Sequence, residues 1–538
     1  TRYAQFKTLL MKNLYSCCLY ICLATIIISC NSKQSPDKNA VSSSHSYSSS
    51  YKAPVFIQDD RVEKIKKIAP ELQKMIEEHA KTNNIPGIAY GIIVDNELVV
   101  SGATGYINLE KKTLATPLSA FRIASMTKSF TAMAILKLRD EGELNLSDPV
   151  SKYIPEMASL EYLTEDAPTI NIENLLTMTS GFPEDNPWGD RQLHESDQML
   201  IDLIVDGISF SNPSSYDFEY SNTGYALLGR IVSRISGVPY QDYIRTNILE
   251  PLGMKQTYWE YDNVPKEQLV MGYRWEEEQW KSEPMLHDGA YGAMGGLITS
   301  IEDFSKYVSF HLSAWPARSG EDTGPVKRSS LREMQSPQFA KLYDEATDFS
   351  NEPCPVISGY GFGLGIANYC NVLKQVGHGG ALPGFGSDYR FFPEYGVGIM
   401  AFCNLTYTGA YPRKEIGELL FETIGLQPRQ LPVSDILMKK QKQIMELIQN
   451  WNPELEANIL AENFYMDQSR EFRVSEIQEV FNKAGAIQTT NEVEPNNQLR
   501  GGFSIETENG VIYIFFTLTP EKQPKVQQLD ISFEPTEK

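Results

Sequence analysis

The chain has 538 residues, 41% hydrophobic and 11% aromatic, enough to bury a substantial core and to exclude disorder as its general state. It carries 48 Lys+Arg against 69 Asp+Glu, a formal charge of −21, and so lacks the basic footprint that nucleic-acid binding needs. Length alone allows roughly two to four domains.

Residues 1–10 read as upstream translation, and Met11-Lys12 with the apolar run 14–28 reads as a secretory signal. The run is too short to be a membrane span. It ends Ile27-Ile28-Ser29-Cys30, which resembles a bacterial lipobox. We therefore expect 1–30 to be a signal peptide with Cys30 lipidated, and the protein to be exported and membrane-anchored, periplasmic or at the cell surface. The alternative is an ordinary signal with an incidental cysteine. Residues 31–58 are rich in Ser with few aliphatic side chains and read as a flexible tether.

Apolar positions at helical spacing predict one helix over 60–83, and 87–95 and 98–102 predict a hairpin turning at Asp95-Asn96. Helices are expected at 125–141, 171–179, 197–206, 223–236 and 240–249. Strands are expected at 361–367, 375–377, 387–392 and 396–403, then a helix over 414–424. Early strands, a helical middle and late strands imply a sheet assembled from both ends of the chain, with a helical domain inserted between them. A boundary near 427–432 separates this unit, 59–426, from a small α+β domain over 433–538. There Ile444, Leu447, Ile448 and Trp451 make a helical stripe, Ile477, Val480 and Phe481 another, and Asn509-Gly510 joins two strand-like runs.

Outside the leader only Cys354, Cys370 and Cys403 occur. Cys354 and Cys370 either pair in an oxidising compartment or remain thiols. Six scattered histidines offer no ligand cluster, so no metal or other cofactor is called for.

Acyl transfer through a serine needs an activated hydroxyl, a nearby proton acceptor and donors aimed at the developing oxyanion. Ser-x-x-Lys places the first two on one helix face. Three such pairs occur, but Ser35/Lys38 and Ser49/Lys52 lie in the tether. Only Ser125-Met126-Thr127-Lys128 opens a helical stripe, with Phe130, Met133, Ala134 and Leu136 following. Tyr-x-Asn also recurs, and Tyr220-Ser221-Asn222 stands apart because it opens a helix. A cation beside Tyr220 would favour its phenolate. The third element is Gly377-His378-Gly379-Gly380-Ala381, where flanking glycines let backbone approach a substrate, and His378 outranks the rival His287-Asp288-Gly289.

Ser-x-x-Lys, Tyr-x-Asn and basic residue-x-Gly, in that order, are similar to the triple signature of the serine β-lactamase and penicillin-binding superfamily. The segments 175–182, 251–254, 295–300 and 379–387, with Asn404 ending the last strand, resemble landmarks of its class C-like branch. The resemblance covers about 59–426. It implies an antiparallel sheet flanked by helices under an inserted helical domain, followed here by the α+β domain. It also implies Ser125 as nucleophile, Lys128 and Tyr220 as proton shuttles, and Asn222 holding the substrate amide. The backbone at Gly380 and Ala381 would line the oxyanion site, and His378 would meet a substrate carboxylate. Where class C β-lactamases carry Lys-Thr-Gly, this chain has His378-Gly379-Gly380, which resembles the carboxypeptidase, D-aminopeptidase and esterase members. The expected function is therefore a D-Ala-D-Ala carboxypeptidase-like or D-aminopeptidase-like serine hydrolase. The alternatives are a small-acyl esterase or a weakly catalytic sensor that binds β-lactam or peptidoglycan.

Overall fold

The computed structural model describes Ser48 and residues 50–536 except position 372. The expected signal peptide, Cys30 and most of the tether lie outside the described residues. Among the described residues no helix is long and apolar enough to cross a membrane.

The first helical stretch is two helices, Arg61–Lys67 and Ala69–Thr82, and not the single one expected. Pro70 explains the break, because proline cannot continue a helix but fits its first turn. The hairpin follows: β1 (Gly87–Val94) and β2 (Glu97–Asn108) join through a two-residue turn in which Asp95 takes φ 50°. A short β3 (Thr113–Leu114) completes this edge.

The helical middle contains Lys128–Asp140, Ile172–Leu176, Asp197–Asp206, Asn222–Ser236 and Tyr240–Ile244. Ser221 caps the Asn222–Ser236 helix by accepting from the Gly224 N–H, and Gly237 ends it at φ 75°. The chain then returns to the sheet as β4 (Gln338–Tyr343), β5 (Val356–Tyr360), β6 (Gly365–Tyr369), β7 (Lys374–Leu382), β8 (Phe385–Phe392) and β9 (Val397–Cys403).

All pairs are antiparallel, in the order β3-β2-β1-β9-β8-β7-β6-β5-β4, so the sheet is built from both ends of the chain, with β1 against β9. The strand expected at 361–367 is shifted: it is β6, Gly365–Tyr369, and residues 361–364 form the turn between β5 and β6. Gly363 sits there at φ 70°, where a Cβ would fall 2.7 Å from the Ser129 Cα. That turn packs on the backbone of the Lys128–Asp140 helix, and no other residue type fits.

The central strands are buried on both faces. Ile88, Tyr90, Ile92 and Val94 face a core shared with the two N-terminal helices, while Ala89 and Ile93 face the larger core around the Lys128–Asp140 helix. Ten residues of that helix are buried, which places it inside the molecule, flanked all round. Each large apolar side chain so buried contributes roughly 1.5–3 kcal/mol. Cys354 and Cys370 form a disulfide, and Cys403 is a buried thiol.

A third, separate core lies in 433–533. It is built by the helices Asp435–Gln449, Pro453–Ile459 and Arg470–Ala484 against a five-stranded antiparallel sheet. Its strands are β10 (Ile487–Thr490), β11 (Glu494–Asn497), β12 (Arg500–Thr507), β13 (Gly510–Leu518) and β14 (Val526–Pro535). The protein is thus a mixed α/β molecule with a large antiparallel sheet, an inserted helical region and a carboxy-terminal sheet domain.

Candidate active site

A two-residue strand, Phe121–Arg122, pairs with Ile298–Thr299 and delivers the chain into a turn where Ala124 adopts φ 51°. A non-glycine residue in that region stores strain, and such residues cluster at functional sites. Ser125 follows at the head of a single 3-10 turn that runs into the Lys128–Asp140 helix. It is 7% exposed and opens onto a cleft of about 420 Å³.

Lys128 is completely buried. Its Nζ lies 2.9 Å from Ser125 Oγ, 2.7 Å from Asn222 Oδ1 and 3.0 Å from the Met294 carbonyl. Burial brings its pKa down to about 7, a fall held back by the charges of Asp190 and Asp185. In the neutral form two N–H groups satisfy Asn222 and Met294. The lone pair then faces Ser125, ready to accept the hydroxyl proton.

The Tyr220 ring lies 4.9 Å from Lys128 Nζ, and its hydroxyl is close enough to Ser125 to interact with it. Its pKa is pushed above the ordinary phenol value by burial. The expectation of a phenolate therefore fails. Lys128 meets the aromatic face, and desolvation outweighs any stabilisation of the anion.

Asn222 does not face the cleft as expected for a residue holding the substrate amide. It is fully buried, its Oδ1 accepts from Lys128 and its Nδ2 donates to Asn186 Oδ1 at 3.1 Å. It orients the lysine, while Asn186 lines the cleft. Asp185 anchors this corner by accepting from the backbone N–H groups of Asn222 and Thr223.

His378 also departs from expectation. Its Nδ1 contacts the Gly379 carbonyl, which can only accept, so Nδ1 carries the proton and Nε2 accepts from the Tyr360 hydroxyl at 3.0 Å. Burial, with the neighbouring charge of Lys128, lowers its pKa to about 3. His378 is therefore a neutral wall of the cleft, not a carboxylate anchor. Beyond Gly377, β7 has no strand partner on its β6 side among the described residues, and this edge approaches Ser125. At Gly380 a Cβ would fall 2.3 Å from both the Ile123 carbonyl and Ser387 Oγ, so glycine is needed there for the two segments to meet. Ala381 lines the cleft beside it.

The far end of the cleft was not foreseen from the sequence. Asp388 accepts from Arg390 Nη2 at 2.8 Å and from the Tyr411 hydroxyl at 3.1 Å, with Arg413 Nη1 at 3.5 Å. The buried Arg390 Nε has no partner among the described residues. The available signal was a charged residue at alternate positions, Asp388 and Arg390, in a strand that otherwise holds only uncharged residues. Asp190, near Lys128, also lines the cleft. The rival His287 is exposed and bonded to Glu260 and Tyr261, outside this cleft. It does form a group with Glu260 and Asp262 of the size a metal ion needs, which the sequence spacing had not revealed.

The profile of the Beta-lactamase family matches residues 72–423. The chain belongs to that family. Protein flp of Staphylococcus aureus is 29% identical over 340 residues, 62% of this chain and 63% of that protein. Beta-lactamase-like protein 2 of Dictyostelium discoideum is 32% identical over 318 residues, 55% of this chain and 56% of that one. The chain thus spans less than two thirds of the length of these curated relatives. In fold it is similar to the octameric penicillin-binding protein homologue from Pyrococcus abyssi, with TM-score 0.55, 24% identity, and coverage of 86% of this chain and 98% of that one. It is also similar to a D-stereospecific amidohydrolase from Streptomyces sp., with TM-score 0.52, 20% identity, and coverage of 66% and 99%.

Within this family fold, the neutrality of His378 has a measurable consequence. Take the ratio of kcat/KM for a carboxylate peptide to kcat/KM for a neutral ester. Its pH dependence should be the same in wild type and in His378→Asn. A ratio that rises in wild type as pH falls through about 6.5, and loses that rise in the variant, would show a titrating His378.

Proposed function

We propose that the protein is a serine hydrolase that works through an acyl-enzyme on Ser125. The observation that carries this reading is the placement of Lys128 Nζ 2.9 Å from Ser125 Oγ, with its other contacts to neutral acceptors and its pKa near 7. Lys128 takes the Ser125 proton as Oγ bonds to the substrate carbonyl carbon. The carbonyl electron pair moves to oxygen, where the backbone N–H groups of Ser125 and Ala381 stabilise it. Losing one such donor typically costs 10²–10³ in rate. Collapse expels the leaving group, which takes a proton from Lys128 directly or through the protonated Tyr220 hydroxyl. Water then attacks the acyl carbon by the same route in reverse and frees Ser125.

For the substrate we propose the amide of a D-amino peptide, in the manner of a D-Ala-D-Ala carboxypeptidase or a D-aminopeptidase. Arg390 and Arg413 supply cationic groups in the cleft that can meet a carboxylate. A small-acyl esterase is the second reading, favoured by the neutral His378. Purified protein assayed on D-amino peptides, small acyl esters and a chromogenic cephalosporin separates the two. The first reading expects D-peptide cleavage with slow cephalosporin turnover; ester turnover with no peptide cleavage would replace it.

We also propose that Cys30 carries a lipid that anchors the protein to a bacterial membrane. Palmitate labelling in a bacterial host should require Cys30, and labelling unchanged in Cys30→Ser would refute the anchor.

A further inference from the structure

The inward positions of the Asp435–Gln449 helix are Leu437, Lys440, Ile444 and Leu447. Three of these are the apolar residues that such a stripe requires, each fully buried, and the fourth is a lysine only 7% exposed. A charged group on a buried helical face is normally matched by a carboxylate, because desolvation disfavours an isolated ion. Lys440 has no ion-pair or hydrogen-bond partner among the described residues. It opens instead into a cavity of about 700 Å³ between this helix and the turn that precedes β14.

The lining of that cavity has the opposite sign to the chain as a whole. In a protein of net charge −21, it gathers Lys439, Lys440, Lys522 and Lys525 around one carboxylate, Glu521. Glu521 is occupied with the Thr519 hydroxyl at 2.8 Å, and Lys525 Nζ donates to the Ala457 carbonyl at 2.9 Å. Lys439 and Lys522 have no partners among the described residues. Lys440 is held below its ordinary pKa by burial first and by Lys439 and Lys525 next, which is what an unfilled anion site would impose on its deepest cation.

We propose that this cavity is a binding site for a phosphate group carried on a larger ligand, with Lys440 at its base and Lys439, Lys522 and Lys525 around it. The donor set suits phosphate. No arginine lines the cavity, so its cations are all ammonium groups, and four of them match an anion that carries more than one charge. Lysines act as point charges and can surround a polyvalent tetrahedral anion from several directions. The volume exceeds that of a lone phosphate, hence the larger carrier. The carrier is either a soluble phosphate compound or the headgroup of a phospholipid.

The test uses the full chain, with inorganic pyrophosphate and dihexanoyl phosphatidylglycerol kept below its micelle concentration as separate calorimetric titrants at fixed ionic strength. Wild type should bind at least one of them with Kd below about 1 mM. Pyrophosphate alone identifies a soluble phosphate as the ligand, and the lipid alone identifies a headgroup. The Lys440→Met variant, which completes the apolar stripe, should weaken that binding at least about tenfold, consistent with loss of one charged hydrogen bond. The double variant Lys439→Glu with Lys522→Glu, at exposed positions, should do the same and serves if Lys440→Met fails to fold. Serine-probe labelling should be unchanged in both. No binding of either titrant to wild type overturns the proposal, as does binding within about twofold of wild type in the folded variants.

Discussion

A Lys128→Met variant should lose about 10³-fold or more in acylation rate, the upper range for removal of a positioned general base. The side chain is fully buried, its pKa is near 7, and no carboxylate is hydrogen-bonded to it, so its amine has a role that methionine cannot fill. The substitution removes a desolvated cation but leaves Asn222 Oδ1 and the Met294 carbonyl without their donor, at about 1–3 kcal/mol for each such group. A folded, inactive variant is therefore the expected outcome, checked by circular dichroism beside the kinetics. The pH profile carries the sign. Lys128 works as a neutral amine, so acylation in wild type should rise with pH through about 7. The Asp190 charge raises the pKa of Lys128, so Asp190→Asn should move that rise to lower pH. A rise that starts only near pH 10 would mean the lysine stays charged in the folded protein, and a wild-type rate in Lys128→Met would remove it from the reaction.

Ser125→Ala should abolish turnover, with a loss of order 10⁵-fold or greater, because residues that act as one catalytic unit fail together. Ser125 is held by the strained Ala124 before it and the buried Lys128 after it, and it meets the edge of β7 across Gly380. Little repacking is expected on removal of one hydroxyl from a residue that faces the cleft, so Tm should stay within a few degrees of wild type. Steady-state kinetics on whichever ester or peptide is turned over, with thermal unfolding of the same sample, tests this.

Local patterns made part of this site legible. Ser125 and Lys128 could be chosen over two other Ser-x-x-Lys pairs because only they precede a helical stripe, and Tyr220-Ser221-Asn222 because it opens a helix with a serine cap. Pro70 also carries a local signal, since its residue type alone accounts for the break in the first helical stretch. What stayed hidden depends on burial and on partners distant in the chain. Asn222, 94 positions further along the chain, cannot be seen to serve Lys128 until the segment between them is folded. The protonation states of Tyr220 and His378 follow from desolvation, which no motif encodes. The strand expected over 361–367 begins only at Gly365, because the run looks continuous in sequence while Gly363 packs in a turn against the backbone of Ser129. In the carboxy-terminal domain the apolar spacing marks the helical stripe from Ile444 and Leu447 onward, while Lys440, one turn earlier, carries no such signal because it is the wrong residue type for a buried position.

The central claim is that Ser125 is the nucleophile, and active-site labelling with a fluorophosphonate tests it most directly. Intact-mass analysis followed by peptide mapping should show one adduct on the wild-type protein, located at Ser125, and none on Ser125→Ala. Labelling should fall steeply in Lys128→Met. An adduct that persists in Ser125→Ala, or that maps to another residue in wild type, would contradict the account.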